Sequence, residues 1–216
     1  MTITGAYPQT ARNTPSRKSE RATYDREAVH ELLDEAYLCH LGFVVDGEPR
    51  VLPTLFVRVD EIVYLHASTG SRWALAARGD GIPVCLEVSV MDALILARSQ
   101  MHHSANYRAV VAHGVARLVT DKEEKLASLA ALIDKVGQGR SAHTRPPNAG
   151  ELAQTAVLSL PLEDVSMKSR DAGVADDAED LDLPYWAGVV PLRTVREPAV
   201  PDAGVTVPAP DYVTVS

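Results

Sequence analysis

From residue 39 to residue 120 the chain is a series of short apolar runs cut by two- or three-residue turns. That punctuation restricts it to antiparallel β structure, because strands joined so tightly must reverse direction. CHLGFVV (39–45) meets Asp46-Gly47, a dipeptide suited to a tight hairpin since both positions tolerate positive φ. RVLPTLFVRV (50–59) forms the return strand. Asp60-Glu61 turns the chain into IVYLHA (62–67). IPVCLEVSV (82–90), ALILAR (93–98) and YRAVVAHGVARLVT (107–120) read as further strands, with Gly114 marking a bulge or bend. TAVLSLPLEDVSMKSR (155–170) and YWAGVVPLRTV (185–195) complete the set.

Only two segments carry a substantial helical period. In the first, Ala28, Val29, Leu32, Leu33, Ala36 and Tyr37 recur at three- and four-residue steps, with Thr23 or Asp25 as cap. The second, DKEEKLASLAALIDKV (121–136), has Asp121 as cap and acids in its first turn. A shorter helix is expected over Arg72–Ala77. The balance predicts a mainly β fold with flanking helices, closed into a barrel that leaves few open edges. Residues 1–22 are polar and read as an arm, mobile or draped over the fold. Residues 23–195 form one domain, and 196–216 a Pro-rich extended tail. DAGVADDAEDLD (171–182), with six acids, reads as a solvated loop.

The net charge of −8 disfavours a nucleic-acid partner and an anionic membrane surface. No apolar stretch reaches the ~20 residues of a spanning helix. The polar N-terminus carries no secretory signal, so a cytoplasmic setting is expected. Cys39 and Cys85 lie in apolar strands and read as buried free thiols.

Four constellations carry chemistry. Tyr64–Arg72 ends a strand in a turn of small hydroxyl residues and opens a helix. Ser68, Thr69, Ser71 and Arg72, with backbone freed by Gly70, compose a phosphate site. Ser104–Val111 opens a long strand in which Tyr107 and Arg108 point to opposite faces. In Met101-His102-His103-Ser104 the adjacent histidines cannot face one metal from a strand, so no metal site is expected. Lys168 and Arg170 share a strand face and can meet an anion, while Trp186 can stack on a planar ring. No P-loop, GxGxxG, GxSxG or HExxH is present.

The run CHLGFVVDGEPRVLPTLFVRVDEIVYLHASTGSRWALAA (39–77) resembles the start of the pyridoxamine-phosphate-oxidase-like, FMN-binding split-barrel family. Within it, the chain is similar to the flavin-nucleotide-binding proteins related to nitroimidazole-resistance (Nim) proteins. ARSQMHHSANYRAVVAHGVARLVTD (97–121), SMKSRDAG and LPYWAGVVPL extend the resemblance over about residues 23–195. It implies a six-stranded antiparallel split β-barrel that forms a homodimer, with FMN in clefts shared by the subunits. It implies that Ser71 and Arg72 grip the phosphate and that Pro53 and Thr54 pass the ring. It assigns Asn106, Tyr107 and Arg108 to the ring or phosphate, and Lys168, Arg170 and Trp186 to a C-terminal contribution. His66 would lie near the flavin as a candidate catalytic residue.

There are departures from the pattern. Trp73 stands where the pyridoxine-phosphate oxidases often carry Lys, and the tail has no Arg-x-His substrate motif. The expectation is therefore an FMN-dependent oxidoreductase acting on a small planar acceptor such as a nitro compound or quinone. One alternative is a haem-binding split barrel using His66, His102, His103 or His113 as axial ligand; a deazaflavin is a further cofactor of such relatives. Another is a non-catalytic flavin-binding or regulatory dimer.

Overall fold

The computed structural model describes residues 5–213. After a two-residue strand β1 (Ala22–Thr23), helix α1 (Arg26–Glu35) leads into β2 (Leu38–Val45), β3 (Glu48–Val59) and β4 (Ile62–Ser68). Short helix α2 (Arg72–Ala76) precedes the two longest strands, β5 (Ile82–Leu96) and β6 (Ser104–Leu118). Helices α3 (Lys122–Val136) and α4 (Ala149–Gln154) follow, then β7 (Thr155–Pro161), β8 (Asp164–Arg170) and β9 (Gly188–Pro191).

Strand neighbours run β1-β8-β6-β7-β4-β3-β2-β5-β9, and β6 also pairs with β5. That extra pairing closes a ring of six strands, β6-β7-β4-β3-β2-β5, as the resemblance implies. One edge of β6 is shared. Tyr107–His113 pairs with β8, and Arg117 and Leu118 pair with β7. The barrel is split where β7 and β8 diverge.

The local chemistry of each element matches its sequence. Asp46 and Gly47 both take positive φ in the β2–β3 turn, and Asp60 does so in the next. The Asp25 and Asp121 side chains accept from the N–H groups of Ala28 and Glu124, capping α1 and α3. Val29, Leu32 and Leu33 lie on one face of α1 and are fully buried against the barrel, while Leu132 of α3 packs on Val57, Tyr64 and Val157.

Four readings are corrected. The runs 82–90 and 93–98 are one strand, interrupted only by an irregularity between Met91 and Ala93. The register is continuous through Gly114, so no bulge lies there. Its missing side chain instead leaves room for Leu160, whose Cδ1 would stand 2.7 Å from an added Cβ. Run 155–170 is two strands with a turn at Leu162–Glu163, and run 185–195 pairs only over Gly188–Pro191. Helix α4 was not anticipated; Asn148 and Glu151 form its capping box.

The described part of the arm is draped, not free. Tyr7 is buried, and its hydroxyl donates to Glu61 Oε2 at 3.0 Å. Arg26 lies over its ring at 4.2 Å. Asn13 donates to the Pro8 and Val165 carbonyls. The tail returns to the segment that follows α3, where Tyr212 stacks on His143 and accepts from Arg140. Residues 1–4 and 214–216 lie outside the described residues. Cys39 is buried and Cys85 half-buried, both free; burial pushes the Cys39 thiol up to about 12. Among the described residues no helix is long and apolar enough to cross a membrane.

Two predictions follow from packing. Gly81 has φ +88°, and a Cβ there would meet the Ala116 carbonyl oxygen at 2.6 Å. Gly81→Ala is expected to cost about 1–3 kcal/mol, read as a lower urea midpoint at unchanged m. The second concerns Lys135, whose Nζ sits 3.7 Å from the Phe56 ring centroid and donates to the Leu33 carbonyl at the end of α1. Burial lowers its pKa to about 8, against the opposing pull of Asp34. Between that value and the unfolded value of about 10 the native state holds fewer protons than the unfolded chain. Stability from this group therefore rises with pH across the window, with a slope below about 1.4 kcal/mol per unit because solvent screens a partly exposed amine. Lys135→Met should lack that rise, so the urea midpoints of the two proteins should diverge in the wild type's favour as pH increases.

Candidate functional site

The residues singled out by sequence separate into two groups. Along β6, Ala116 pairs with Ile82 just after α2, while Asn106 lies ten residues earlier. At about 3.3 Å per residue, that is roughly 33 Å of strand.

The first group surrounds the β4–α2 junction. The Ser71 amide donates to the Ser68 carbonyl at 3.0 Å, and the Thr69 amide to Gln154 at 3.0 Å, which fixes the turn. Ser71 occupies the N-cap of α2 without making a side-chain cap. Its Oγ is buried and has no hydrogen-bond partner. Burying a hydroxyl without a partner is costly, so such an atom calls for a partner such as an ordered water, an ion or a ligand. Arg72 beside it is exposed, and among the described residues no carboxylate pairs with it. His66, exposed on β4, stands at a shallow crevice with Ser128, Leu129 and Leu132. Gly70 has open space around it and an ordinary φ, so the turn does not require glycine.

The second group lines a cavity of about 340 Å³ at the far end of the barrel, formed by Asp92, Asn106, Arg108, Met167, Ser169, Arg170 and Asp171. Arg108 is fully engaged there. Its fork donates to Asp92 at 3.1 and 2.8 Å and to both oxygens of Glu35 from α1. Those bonds hold its guanidinium charged beyond its already basic range. Asn106 is buried, and its Oδ1 accepts from Arg170 Nη1 at 2.5 Å and from the Ala172 amide at 3.1 Å. Neither arginine is a spare cation: Arg170 also donates to the Ala172 and Gly173 carbonyls.

Other residues stand apart. Tyr107 and Arg108 point to opposite faces, as alternation requires. Lys168 donates to the Arg17 carbonyl and so holds the arm. Pro53 pairs with His40, whereas Thr54 pairs with the buried Cys39, so these neighbours face opposite sides. Trp186 is exposed, with its indole lying over Gly188.

Two arrangements were missed by sequence reasoning. In the acidic segment, Asp176 has a side chain only 1% exposed. It accepts from the Arg98 amide at 3.0 Å and from Arg98 Nη1 at 2.8 Å, fastening residues 171–182 onto the β5–β6 connection. On the outer face of the sheet, His40 Nδ1 lies 3.0 Å from Glu87 Oε2. Register brings His40 opposite both Pro53 and Glu87, and Leu38 opposite Leu55. Leu38, Val51, Leu55 and Met91 are exposed around this pair, an apolar sheet face turned outward.

A family model described as pyridoxamine 5'-phosphate oxidase matches residues 25–169. The flavocytochrome Anf3 from Azotobacter vinelandii is 35% identical, with 94% of this chain and 95% of that chain covered and a TM-score of 0.87. An FAD and heme binding protein from Mycobacterium smegmatis is 34% identical over 89% of this chain and 95% of its own, with a TM-score of 0.82. A putative 5-nitroimidazole antibiotic resistance protein from Bacteroides thetaiotaomicron, 18% identical over 68% of this chain and 85% of its own, shares the fold at a TM-score of 0.58. No curated protein sequence matches the chain.

The Asp176 clasp is testable. Burial raises its carboxyl pKa, but the hydrogen bonds from the Arg98 side chain and from the Arg98 and Ser99 amides outweigh this and hold it below the usual range. Its contribution is thus present above the ordinary carboxylate range and lost as pH falls through the lowered value. Hydrogen exchange of residues 172–183 is expected to rise sharply in Arg98→Leu at neutral pH. In the wild type it should rise only in strong acid.

Proposed function

The chain belongs to the pyridoxamine 5'-phosphate oxidase family of flavin-binding split barrels, and from that premise we propose that it is a dimeric redox protein carrying a flavin together with a haem. The observation that carries the flavin half is the buried, partnerless Ser71 Oγ beside the uncommitted Arg72. A flavin phosphate offers the acceptor oxygens both groups need. Of the cations that resemblance assigned to the flavin, Arg72 alone is unengaged among the described residues: Arg108 answers two carboxylates, Arg170 and Lys168 backbone carbonyls. The resemblance implies FMN; the Mycobacterium relative is an FAD and heme protein, which favours the dinucleotide.

The haem half rests on the two relatives above 30% identity, one a flavocytochrome and the other an FAD and heme protein. Bound, a flavin exchanges electron pairs and a haem single electrons, so together they divide a two-electron transfer. The likeness to a nitroimidazole-resistance protein supports the fold alone, so nitro compounds and quinones are carried as acceptors by sequence resemblance only. The homodimer is supported by the exposed apolar face around Leu38, Val51, Leu55 and Met91, which a second copy would cover. Two free thiols suit a reducing cytoplasm.

The absorption spectrum of the purified protein tests this reading. Flavin bands and a Soret band are expected together, and a species of twice the chain mass by light scattering. Arg72→Ala should weaken flavin affinity about ten- to a hundredfold, the range of a lost charge-assisted hydrogen bond. Affinity unchanged in that variant would refute the anchor, and a monomer would refute the shared cleft.

A further inference from the structure

We propose that His102, Asp177 and Asp180 bind a divalent transition-metal ion of the zinc type, which pins the acidic segment 171–182 to the β5–β6 connection. One ligand atom from each residue lies within 4.8 Å of the other two. His102 Nε2 stands 3.7 Å from Asp177 Oδ2. That is too long for a hydrogen bond. It is close to the roughly 3.4 Å between two ligands on one tetrahedral ion with bonds of about 2.1 Å. The two carboxylates converge and repel, and a neutral imidazole does not offset them, whereas a divalent ion does. The nearby Arg98 is spent on Asp176.

The imidazole supplies an observation independent of the acids. Its Nδ1 is buried with no hydrogen-bond partner, and among the described residues Nε2 has none within reach. His30, His40 and His103, by contrast, each have a ring nitrogen engaged. An enclosed imidazole left without a partner and facing two carboxylates is what a bound ion would satisfy.

Both sides of the cluster are held in place. His102 closes the 3₁₀ turn Gln100–His102, whose cap Ser99 accepts from the Met101 amide at 3.2 Å. Asp177 and Asp180 bracket a second such turn, where the Asp180 amide donates to the Asp177 carbonyl at 3.0 Å. Asp177 does not spend its carboxylate on capping that turn. The neighbouring Asp176 is clasped by Arg98. One imidazole nitrogen with two carboxylate oxygens suits zinc and leaves the fourth position to water, whereas magnesium and calcium prefer all-oxygen shells. Asp177 is 69% exposed, so an ion can enter from solvent. The sequence expectation of no metal weighed His102 only against His103; the acids come from a segment far along the chain.

The test uses the full-length protein, free of any histidine tag and stripped with a chelator, titrated with zinc chloride by calorimetry. The wild type should take up one zinc per chain, and millimolar magnesium should leave the isotherm unchanged. His102→Ala and Asp180→Asn should each weaken binding by about tenfold or more while keeping the far-ultraviolet circular dichroism of the wild type. His103→Ala should match the wild type. Zinc should slow hydrogen exchange of residues 172–183 in the wild type and not in His102→Ala. Uptake that is absent in the wild type, unchanged in His102→Ala or displaced by magnesium overturns the site. Zinc binding that leaves exchange of that segment unchanged overturns the pinning.

Discussion

Ring closure between β5 and β6 is the constraint on which the molecule depends. Thirteen residue pairs join these strands, from Ile82–Ala116 to Ile95–Ser104. Without them the remaining strands would be an open sheet with two long exposed edges. With them, inward residues of the six ring strands converge on one core that includes Leu41, Phe56, Leu65, Leu86, Val110 and Leu158. Burial of such side chains, at about 25 cal/mol per Å² of apolar surface, is the main force opposing the loss of chain entropy.

The same closure decides where charges can be spent. Asp92 sits at the irregularity in β5, which breaks the alternation and brings its carboxylate to Arg108. Glu35, at the last turn of α1, reaches the other side of that guanidinium. The far mouth of the barrel is therefore a neutralised polar plug, whereas the α2 mouth keeps a free cation and an unsatisfied hydroxyl. Two arginines that look alike in sequence have different tasks because only one has carboxylates brought to it by tertiary structure.

Much of the fold is written locally. Asp46-Gly47, Asp60-Glu61, Asp25 and Asp121 act through their own backbone or that of near neighbours, and each element boundary they mark lies within two residues of its expected place. The corrections concern non-local physics. The chain's passage straight through Met91–Ala93 depends on partners in β6 and β9, and α4 is held by a two-residue cap in a loop of otherwise irregular composition. The site shows the same division. The hydroxyl-rich turn before Arg72 is legible because its residues are contiguous. His40 with Glu87, and Arg98 with Asp176, are 47 and 78 residues apart in sequence and meet only once the register is known.

Leu160 adds a mechanical consequence to the split. Between the last β8 partner of β6, His113, and the first β7 partner, Arg117, the edge of β6 is bridged from inside by a leucine lying over Gly114. Hydrogen bonds resist sliding because they are directional, while a hydrocarbon contact has no preferred angle. The seam between the two halves is thus joined by a hydrocarbon contact where the stretches on either side of it are joined by backbone pairing.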